Sequence, residues 1–313
     1  MNRTAKQWLE SRFGSLVRFN EPMARHTSLQ IGGPAEAFLL PERFEDVSAL
    51  IVWAGDHRIP CTIVGGGTNI LVTDAGIPGI VIGMKRCLSR VIRTEIRNDS
   101  ILVTAGAGMD LQKLCWYAIR QGWGGVTFAM GIPGTLGGAI MMNAGTRAGA
   151  VEGILQRVTV LMPDGRINRL DRSDLIFQYR QLVFERDKEQ GPSDPVIVEA
   201  DLVFHLSDPV QLRITAREML RMRRNTQPSG VASAGCFFKN PAAGRSAGEW
   251  IDLAGLKGTS VGGAEVSATH ANFFINRGNA TCADMMALMS LVQKRVLAMS
   301  GILLETEVKR IGF

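Results

Sequence analysis

The chain holds five glycines in the stretch Gly131-Ile132-Pro133-Gly134-Thr135-Leu136-Gly137-Gly138-Ala139-Ile140-Met141-Met142-Asn143-Ala144-Gly145, which is only fifteen residues long. Glycine adopts positive φ without steric cost and has no side chain to hold a ligand away from the backbone. Successive N–H groups in such a loop can converge on an anion such as a phosphate. No Lys or Arg lies between Gly131 and Asn143, so amide dipoles are expected to hold that anion. The stretch fits neither a Walker A loop nor Gly-x-Gly-x-x-Gly, and the alternative is a tight turn packed on a strand.

A second glycine cluster favours the ligand-binding interpretation. Gly65-Gly66-Gly67-Thr68-Asn69 lies between the apolar runs 61–64 and 70–72, a pattern that predicts strand, loop, strand. The two uncharged loops lie about 65 residues apart, and each is interpreted as following a β-type run. Two such loops suit the two phosphates of one dinucleotide better than two unrelated turns. We refer to residues 65–69 as the first glycine loop and to residues 131–138 as the central glycine loop.

Length and composition bound the class of protein. A chain of 313 residues predicts two or three domains, each with its own core. The hydrophobic share of 46% and the charged share of 20% are typical of a soluble globular protein. Lys and Arg total 35 against 29 Asp and Glu, a mild basic excess that suits anionic small molecules rather than a nucleic acid.

Cysteine usage and hydropathy indicate the compartment. Five cysteines without a Cys-x-x-Cys pair argue against a disulfide framework and against structural zinc, so we expect a reducing cytoplasm and no metal. No apolar run approaches the roughly 18 residues of a membrane span. Four charged residues, Arg3, Lys6, Glu10 and Arg12, lie among the first twelve positions, where a signal peptide needs an apolar core. These patterns predict a soluble protein that is not exported and has no membrane partner.

Periodicity predicts both helices and runs of short strands along the chain. An amphipathic helix within the first 20 residues precedes a region of short strands and helices, and Ser207-Asp208-Pro209 is the best candidate for a domain boundary. The longest helix is expected after Thr281, with its methionines in the core. A final strand is predicted over 302–311, which would turn the side chains of Glu305 and Glu307 to one face.

Several motifs in combination resemble the UDP-N-acetylenolpyruvoylglucosamine reductase family. These motifs are the two glycine loops, Tyr179-Arg180, Ser233-Ala234-Gly235-Cys236-Phe237-Phe238-Lys239-Asn240-Pro241 and Leu304-Glu305-Thr306-Glu307-Val308. Members are flavoenzymes of bacterial peptidoglycan precursor synthesis with a vanillyl-alcohol-oxidase (PCMH-type) FAD fold. The resemblance runs from about residue 26 to residue 312, and the compact length looks like the family's shorter type, which lacks a substrate-capping loop insertion.

The resemblance implies an α+β fold with three parts. Residues 1–28 would form an N-terminal helix and lead-in, residues 29–206 an FAD-binding region of two PCMH-type subdomains, and residues 207–313 an α/β substrate-binding domain with a C-terminal catalytic strand. Relatives on this fold often attach flavin through a histidine in the first glycine loop, which has none here, so FAD is expected to bind non-covalently. The implied FAD-binding residues are Gly65, Gly66, Gly67, Thr68, Asn69, Gly131, Pro133, Gly134, Gly137 and Gly138.

The resemblance also implies the reaction and its residues. NADPH would give a hydride to the flavin, which passes it to the enolpyruvyl group of UDP-N-acetylglucosamine enolpyruvate, and UDP-N-acetylmuramate is the product. Arg180, Cys236 and Glu307 match the three catalytic positions. A permanent guanidinium suits a carboxylate whose charge grows in the transition state. A carboxylic acid kept protonated by burial can donate a hydrogen bond to that charge.

Cys236 departs from the serine that most of the family uses as proton donor. A thiol has a pKa near 8.5 and a hydroxyl a far higher one, so the thiol is the better acid towards an enolate but can be oxidised. Without its motif Cys236 would be interpreted as a small buried hydrophobe. Thr127 and Leu182 replace the usual acidic residue and serine. Substrate contacts are implied, as weaker candidates, for Tyr179, Lys239, Asn240 and His270.

Three other functions remain open on the sequence. The first is an oxidase of sugar alcohols or lactones on the same fold, with oxygen as acceptor. The second is a non-catalytic FAD-binding subunit that relays electrons, which would have no use for a proton donor. A nucleotide-binding regulator fits least. Under the favoured interpretation the chain acts as a monomer on a UDP-sugar and NADPH.

Overall fold

The computed structural model of the chain describes residues 1–184 and 195–313. These residues contain both helices and strands, and long runs of consecutive strands separate some of the helices. The helices are α1 (Arg3–Phe13), α2 (Phe44–Asp56), α3 (Leu111–Arg120), α4 (Leu136–Met141), α5 (Pro209–Thr226), α6 (Ala247–Leu253) and α7 (Cys282–Ser300). The strands are β1 (Val17–Pro22), β2 (Pro34–Leu39), β3 (Cys61–Val64), β4 (Ile70–Val72), β5 (Ile77–Gly83), β6 (Val91–Arg97), β7 (Ser100–Gly106), β8 (Trp123–Gly124), β9 (Gly145–Thr146), β10 (Gly149–Ala150), β11 (Leu155–Leu161), β12 (Ile167–Asp171), β13 (Ile176–Gln178), β14 (Gln181–Val183), β15 (Val196–Leu206), β16 (Ala232–Cys236), β17 (Ser260–Val261), β18 (Ala264–Val266), β19 (Phe273–Asn276) and β20 (Lys309–Ile311).

The chain forms two compact units that do not follow the predicted boundaries at 28/29 and 206/207. Unit 2 takes two early segments besides the C-terminal part, and the first glycine loop is divided between Gly66 and Gly67. The early segment 67–78 belongs to unit 2 because its strand β4 pairs in parallel with β20. Unit 1 comprises Met1–Arg18, Ala37–Gly66 and Gly79–Arg221, and unit 2 comprises Phe19–Glu36, Gly67–Pro78 and Met222–Phe313.

A six-stranded sheet forms the centre of unit 1. Its order is β12-β11-β15-β7-β6, with β8 paired to β15, and its neighbours are antiparallel. The predicted Asp-Gly turn joins β11 to β12, where Gly165 has a φ of 86°. Helix α3 begins at the N-cap Asp110, whose carboxylate accepts the Lys113 N–H, and buries Leu114 and Ile119 completely. These apolar faces give unit 1 its own core.

A smaller sheet has the order β1-β2-β5-β3. Strands β3 and β5 are parallel, with Cys61 opposite Ile80 and Val64 opposite Gly83. The interior of β5 is almost fully apolar and buried, as expected for a strand covered on both faces. Strand β3 ends directly before the first glycine loop, so the predicted order of strand, loop and strand is confirmed there.

Unit 2 packs helices on an antiparallel sheet of order β16-β19-β18-β17. The predicted methionine stripe of α7 is buried, with Met285 at 0% and Met289 at 7% exposure. Phe237, Phe238 and Phe274 contribute aromatic rings, and Phe237 stacks on Phe274 with ring centroids 4.2 Å apart. This core anchors the residues that directly follow Cys236.

The predicted strand over 302–311 is wrong for most of its length. Only Lys309–Ile311 forms a strand, and residues 302–308 are irregular apart from one isolated bridge between Thr306 and Phe238. The segment runs beside the residues after β16 instead of pairing as a regular ladder, so alternation alone does not decide where Glu305 and Glu307 point. The side chain of Glu305 is 75% exposed, whereas Glu307 is half-buried.

Helix α7 has carboxylates from two places at its N-terminus. Thr281 and Asp284 form a capping box, and the N–H donors around Asp284 lower the pKa of its carboxyl group. Asp74, from the early segment of unit 2, accepts the N–H groups of Cys282 and Ala283 at 2.8 and 2.9 Å. Negative charge is favourable where a helix leaves its N–H groups unpaired, so Asp74 joins segment 67–78 to α7.

We expect Asp74→Ala to destabilise unit 2 by about 1 kcal/mol, because two helical N–H groups lose their acceptor. Urea unfolding followed by fluorescence measures the change. Asp56→Ala is the matched control, since Asp56 is the last residue of α2 and a carboxylate there opposes the helix dipole. A loss of stability in the control as large as in Asp74→Ala would contradict the capping role.

Candidate active site

The two glycine loops meet within unit 1. A Cβ atom added at Gly65 would lie 2.3 Å from the hydroxyl oxygen of Thr135, far inside van der Waals contact. Thr135 is the N-cap of α4, and its hydroxyl accepts the Gly138 N–H at 3.4 Å. The first loop therefore approaches the start of α4 so closely that a side chain at position 65 would require the Thr135 hydroxyl to move.

The central glycine loop follows a 3₁₀ turn, Thr127–Ala129, and not the strand that was predicted. Gln112 on α3 holds the loop: its amide donates to the carbonyl oxygens of Ala129 at 2.9 Å and Ile132 at 2.7 Å. Its side-chain oxygen accepts the Gly131 N–H at 2.7 Å. Sequence reasoning missed Gln112, because a single glutamine in an amphipathic helix carries no signal of a loop contact.

Several backbone N–H groups of the central glycine loop donate hydrogen bonds to other atoms of the protein. Leu136 N–H donates to Met109 O and Gly137 N–H to Ala107 O, both at 2.8 Å. These two N–H groups, like the N–H of Gly131, hold the loop in place and keep it close to Ala107. The N–H groups of Gly131 and Gly137 are therefore engaged within the protein, and what the structure shows of these two residues is a close fit of the backbone.

Within unit 2 the rest of the first glycine loop packs against residues 26–28. Gly67 has a φ of 68°, and an added Cβ would lie 1.9 Å from the carbonyl oxygen of His26. Ser28 N–H donates to Gly67 O at 2.9 Å. Both the dihedral angle and the contact with backbone require glycine at position 67.

Asn69 and Glu307 lie side by side in unit 2. The side-chain amide of Asn69 donates to Glu307 O at 3.3 Å, and its backbone oxygen accepts the Lys309 N–H at 3.0 Å. These contacts continue the parallel pairing of β4 with β20. A residue predicted to bind the cofactor and a residue predicted to act in catalysis are thus neighbours.

Cys236 is the last residue of β16, opposite Phe273 in β19. The register shifts between Ser233 and Cys236, and Gly235 there has a φ of 81°. Asn272 holds the following residues: it accepts the Phe238 N–H at 2.9 Å and donates to Phe238 O at 2.8 Å. The bulge and this clamp leave the Cys236 side chain half-buried rather than in the core.

The segment after Cys236 runs beside the segment of Glu307. Glu307 N–H donates to Phe237 O, and Lys239 N–H donates to Glu305 O, both at 2.8 Å. Lys239 also faces the exposed carboxylate of Glu305, with 3.4 Å between Nζ and Oε2. Unit 2 therefore brings Cys236, Lys239 and Glu307 together, and the half-buried Glu307, not Glu305, is the carboxyl suited to a shielded role.

His270 and Asn240 have structural partners in unit 2. The Asn272 N–H donates to His270 Nδ1 at 3.2 Å, so this nitrogen carries no proton. Burial, followed by the field of Lys257, lowers the pKa of His270 and favours the neutral ring. Asn240 Oδ1 accepts the Ala247 N–H at the start of α6. Both residues hold their own surroundings, whatever else they bind.

Tyr179 and Arg180 form the two-residue turn of the hairpin β13–β14 in unit 1, with Gln178 opposite Gln181. Arg180 has a φ of 61°, a backbone conformation that costs a non-glycine residue about 1 kcal/mol. Its guanidinium lies 5.0 Å from the centre of the Tyr179 ring. The unusual dihedral angle marks this turn as a place where something other than local preference sets the backbone.

Neither a membrane-spanning helix nor a metal-binding cluster occurs within residues 1–184 and 195–313. None of the helices there is both long and apolar enough to cross a bilayer. Nor do three or more His, Cys, Asp or Glu side chains gather there as a metal site requires.

Comparison with known proteins matches both halves of the chain. The model of the UDP-N-acetylenolpyruvoylglucosamine reductase C-terminal domain matches residues 227–311, and an FAD binding domain model matches residues 35–171. UDP-N-acetylenolpyruvoylglucosamine reductase of Desulfosudis oleivorans is 46% identical over 312 residues, which cover 100% of both chains. The protein of the same name from Heliobacterium modesticaldum is 42% identical over 93% of this chain and 90% of its own.

A solved structure agrees with these matches. The crystal structure of UDP-N-acetylenolpyruvylglucosamine reductase from Thermus caldophilus aligns with a TM-score of 0.76 and 32% identity, covering 93% of this chain and 97% of that one. The fold class predicted from the sequence, an α+β FAD-binding region with a C-terminal domain, is thereby confirmed. On full-length identity and fold together, the chain belongs to the UDP-N-acetylenolpyruvoylglucosamine reductase family.

Proposed function

We propose that the chain is an NADPH-dependent flavoenzyme that reduces the enolpyruvyl group of UDP-N-acetylglucosamine enolpyruvate. The product is the lactyl ether of UDP-N-acetylmuramate, a precursor of bacterial peptidoglycan. Family membership supports the substrate class. The observation that supports the residue assignment is the backbone hydrogen bond from Glu307 N–H to Phe237 O, which holds the segment of Glu307 beside the residue that follows Cys236. Residues 29–206 would serve FAD and residues 207–313 the substrate.

The glycine loops fit a diphosphate-bearing cofactor. Gly65 and Gly67 lie where a Cβ would meet Thr135 and His26, so glycine at these positions sets the shape of the loop that is proposed to hold the cofactor. We infer that FAD is held non-covalently, because the first loop offers no histidine for attachment. When bound, FAD supplies the hydride carrier between the nicotinamide and the enolpyruvyl carbon. The residues proposed to hold it are Gly65, Gly66, Gly67, Thr68, Asn69, Gly131, Pro133, Gly134, Gly137 and Gly138.

Cys236 is assigned as the proton donor. Hydride addition to one carbon of the double bond leaves a carbanion next to the substrate carboxylate, and a proton from the thiol completes the single bond. NADPH leaves as NADP⁺, and the thiolate regains its proton from solvent. A half-buried thiol suits both proton transfers, the one to the substrate and the one from solvent, because it is not sealed in the core. Thiols in general are stronger acids than aliphatic hydroxyl groups.

Arg180 and Glu307 are assigned to the charge that develops on the carboxylate. The planar fork of Arg180 suits two carboxylate oxygens. Glu307, in its protonated form, donates a hydrogen bond to the same enediolate-like group. The two side chains lie in different units, Arg180 in unit 1 and Glu307 in unit 2.

Four further residues are proposed to contact substrate or nicotinamide. Lys239 adds positive charge beside Lys309, and partial burial together with Lys239 lowers the pKa of Lys309. Such a pair of cations suits the anionic groups of a UDP-sugar. The proposed contacts are Tyr179, Lys239, Asn240 and His270, of which Tyr179 is 49% exposed.

The glycine assignment gives the first prediction for this site. Gly67→Ala is expected to weaken FAD binding more than tenfold, because the new Cβ meets backbone and the residue keeps a positive φ. Gly65→Ala should weaken it less, since the hydroxyl of Thr135 can rotate. Fluorescence titration of the deflavinated protein with FAD measures both. Gly153→Ala is the matched control, because an added Cβ there meets no described atom within 4 Å. Equal FAD affinity in all three variants would contradict the proposed role of the glycine loops in FAD binding.

The proton-donor assignment gives the second prediction. In Cys236→Ala, NADPH should still bleach the flavin, while reoxidation by the enolpyruvyl substrate should slow by 10² or more, as expected for loss of a general acid. Cys236→Ser should retain measurable turnover. Stopped-flow absorbance at the flavin bands separates the two half-reactions.

Cys61→Ala is the control for loss of a thiol, since Cys61 is exposed and lies in β3. Reoxidation of Cys236→Ala at the wild-type rate would refute the role. Hydrogen peroxide formed in proportion to turnover would instead favour an oxidase. A protein that reduces its flavin with NADPH but never passes hydride to the enolpyruvyl substrate would favour an electron-relay subunit.

A further inference from the structure

The hairpin that carries Arg180 is hydrogen-bonded to Asn143, just after helix α4, which begins within the central glycine loop. The side-chain amide of Asn143 donates to Gln178 O, the residue before the turn, at 3.2 Å. Asn143 is 5% exposed and has a φ of 40°, a conformation that asparagine adopts more readily than most residues. It follows α4 directly, since Met142 is that helix's C-cap.

Glu152 completes the hydrogen bonding of Asn143. The amide nitrogen of Asn143 donates to Glu152 Oε1 at 3.0 Å, and the amide oxygen accepts the Glu152 N–H at 3.3 Å. The side chain of Asn143 therefore has both of its ends engaged in a buried position, which fixes its rotamer. Replacing it leaves the Gln178 carbonyl and the Glu152 carboxylate without these donors.

Arg172 extends the chain of contacts back to the hairpin. Its Nη2 donates to Glu152 Oε2 at 2.9 Å, and its Nη1 donates to Leu175 O at 3.2 Å. The guanidinium also lies 4.6 Å from the centre of the Phe177 ring in β13. Strand β13 is thus held at Phe177 by Arg172 and at Gln178 by Asn143, immediately before Tyr179 and Arg180.

The opposite strand of the hairpin is held by packing. Leu182 in β14 is 3% exposed and lies in the core of unit 1, opposite Phe177. With both strands fixed, the two residues between them have little freedom, and Arg180 is kept at positive φ. This arrangement accounts for a backbone conformation that arginine does not favour by itself.

We propose that Asn143, supported by Glu152 and Arg172, is a positioning residue for Arg180. It fixes the turn relative to α4 and the central glycine loop, so that the guanidinium is preorganised for the carboxylate of the substrate. The inference rests on the proposed role of Arg180 in carboxylate binding. Preorganisation of this kind matters because a displacement of about 1 Å in a positioning contact can cost a factor of 10² in rate.

A double-mutant cycle tests the proposal. Asn143→Ala, Arg180→Ala and the double variant are compared for the dissociation constant of the enolpyruvyl substrate, by calorimetry, and for the rate of flavin reoxidation. We expect Asn143→Ala to weaken binding or slow reoxidation roughly tenfold, as for loss of one buried hydrogen-bond network. In the Arg180→Ala background the same change should have less than about a twofold effect, because Asn143 acts through Arg180.

Two measurements separate positioning from general damage. The rate of flavin reduction by NADPH and the FAD content of Asn143→Ala should stay close to wild type. Arg166→Gln is the matched control, since Arg166 forms an ion pair with Asp164 at 2.6 Å in the same unit but outside the network. It should leave both half-reactions unchanged. Equal losses in both half-reactions of Asn143→Ala would overturn the inference.

Other outcomes are equally decisive. A tenfold effect of Asn143→Ala that persists in the Arg180→Ala background would show that Asn143 does not act through Arg180. Wild-type binding and reoxidation in Arg180→Ala alone would refute the proposed function of Arg180, and with it this inference. If Asn143→Ala does not fold, Arg172→Gln enters the same cycle, with a smaller non-additive loss expected and additivity again overturning the proposal.

Discussion

The arrangement of unit 2 depends on one short backbone pairing, in which Glu307 N–H donates to Phe237 O and Lys239 N–H donates to Glu305 O. The pairing is not a regular sheet, yet it sets the distance between a thiol-bearing strand end and a carboxyl-bearing segment. Buried Phe237 and Phe238 hold one side, and Asn69 holds the other by donating to Glu307 O. A change in any of these anchors would move Cys236 and Glu307 relative to one another.

Glycine and positive φ perform two distinct tasks in this protein. At Gly65 and Gly67 the missing Cβ leaves room for the Thr135 hydroxyl and for the His26 carbonyl oxygen to come close to the loop. At Arg180 the same region of φ is occupied by a residue with a long side chain, and here surrounding contacts impose the conformation. Lack of room for a side chain explains the glycines of the first loop, whereas contacts of the neighbouring strands explain the positive φ of Arg180. The two cases therefore respond differently to substitution: alanine at position 67 would meet backbone, whereas alanine at position 180 would have to adopt the same positive φ as the arginine it replaces.

Much of the fold could be predicted from the sequence, because long amphipathic patterns dominate it. The stripe of α7, the Asp-Gly turn between β11 and β12, and the strand before the first glycine loop follow from local periodicity. The final strand was overextended, because residues 302–308 alternate without a regular partner. Motif matching selected Cys236 and Glu307, whereas Gln112 and Asn143 were missed as supports. Their roles arise from contacts with carbonyl oxygens distant in sequence, which no spacing rule encodes.

The interleaving of the two units has a consequence for biosynthesis. Unit 2 takes strand β4 from an early part of the chain and its partner β20 from a late part, and Asn69 and Glu307 are 238 residues apart in sequence. While the polypeptide is still on the ribosome, β4 leaves the exit tunnel long before β20 exists. Strand β4 stays unpaired with β20 until then, and Asp74 likewise lacks the helix α7 that it caps. Assembly of the half that holds Cys236 is therefore a late event, completed only after synthesis has passed residue 311.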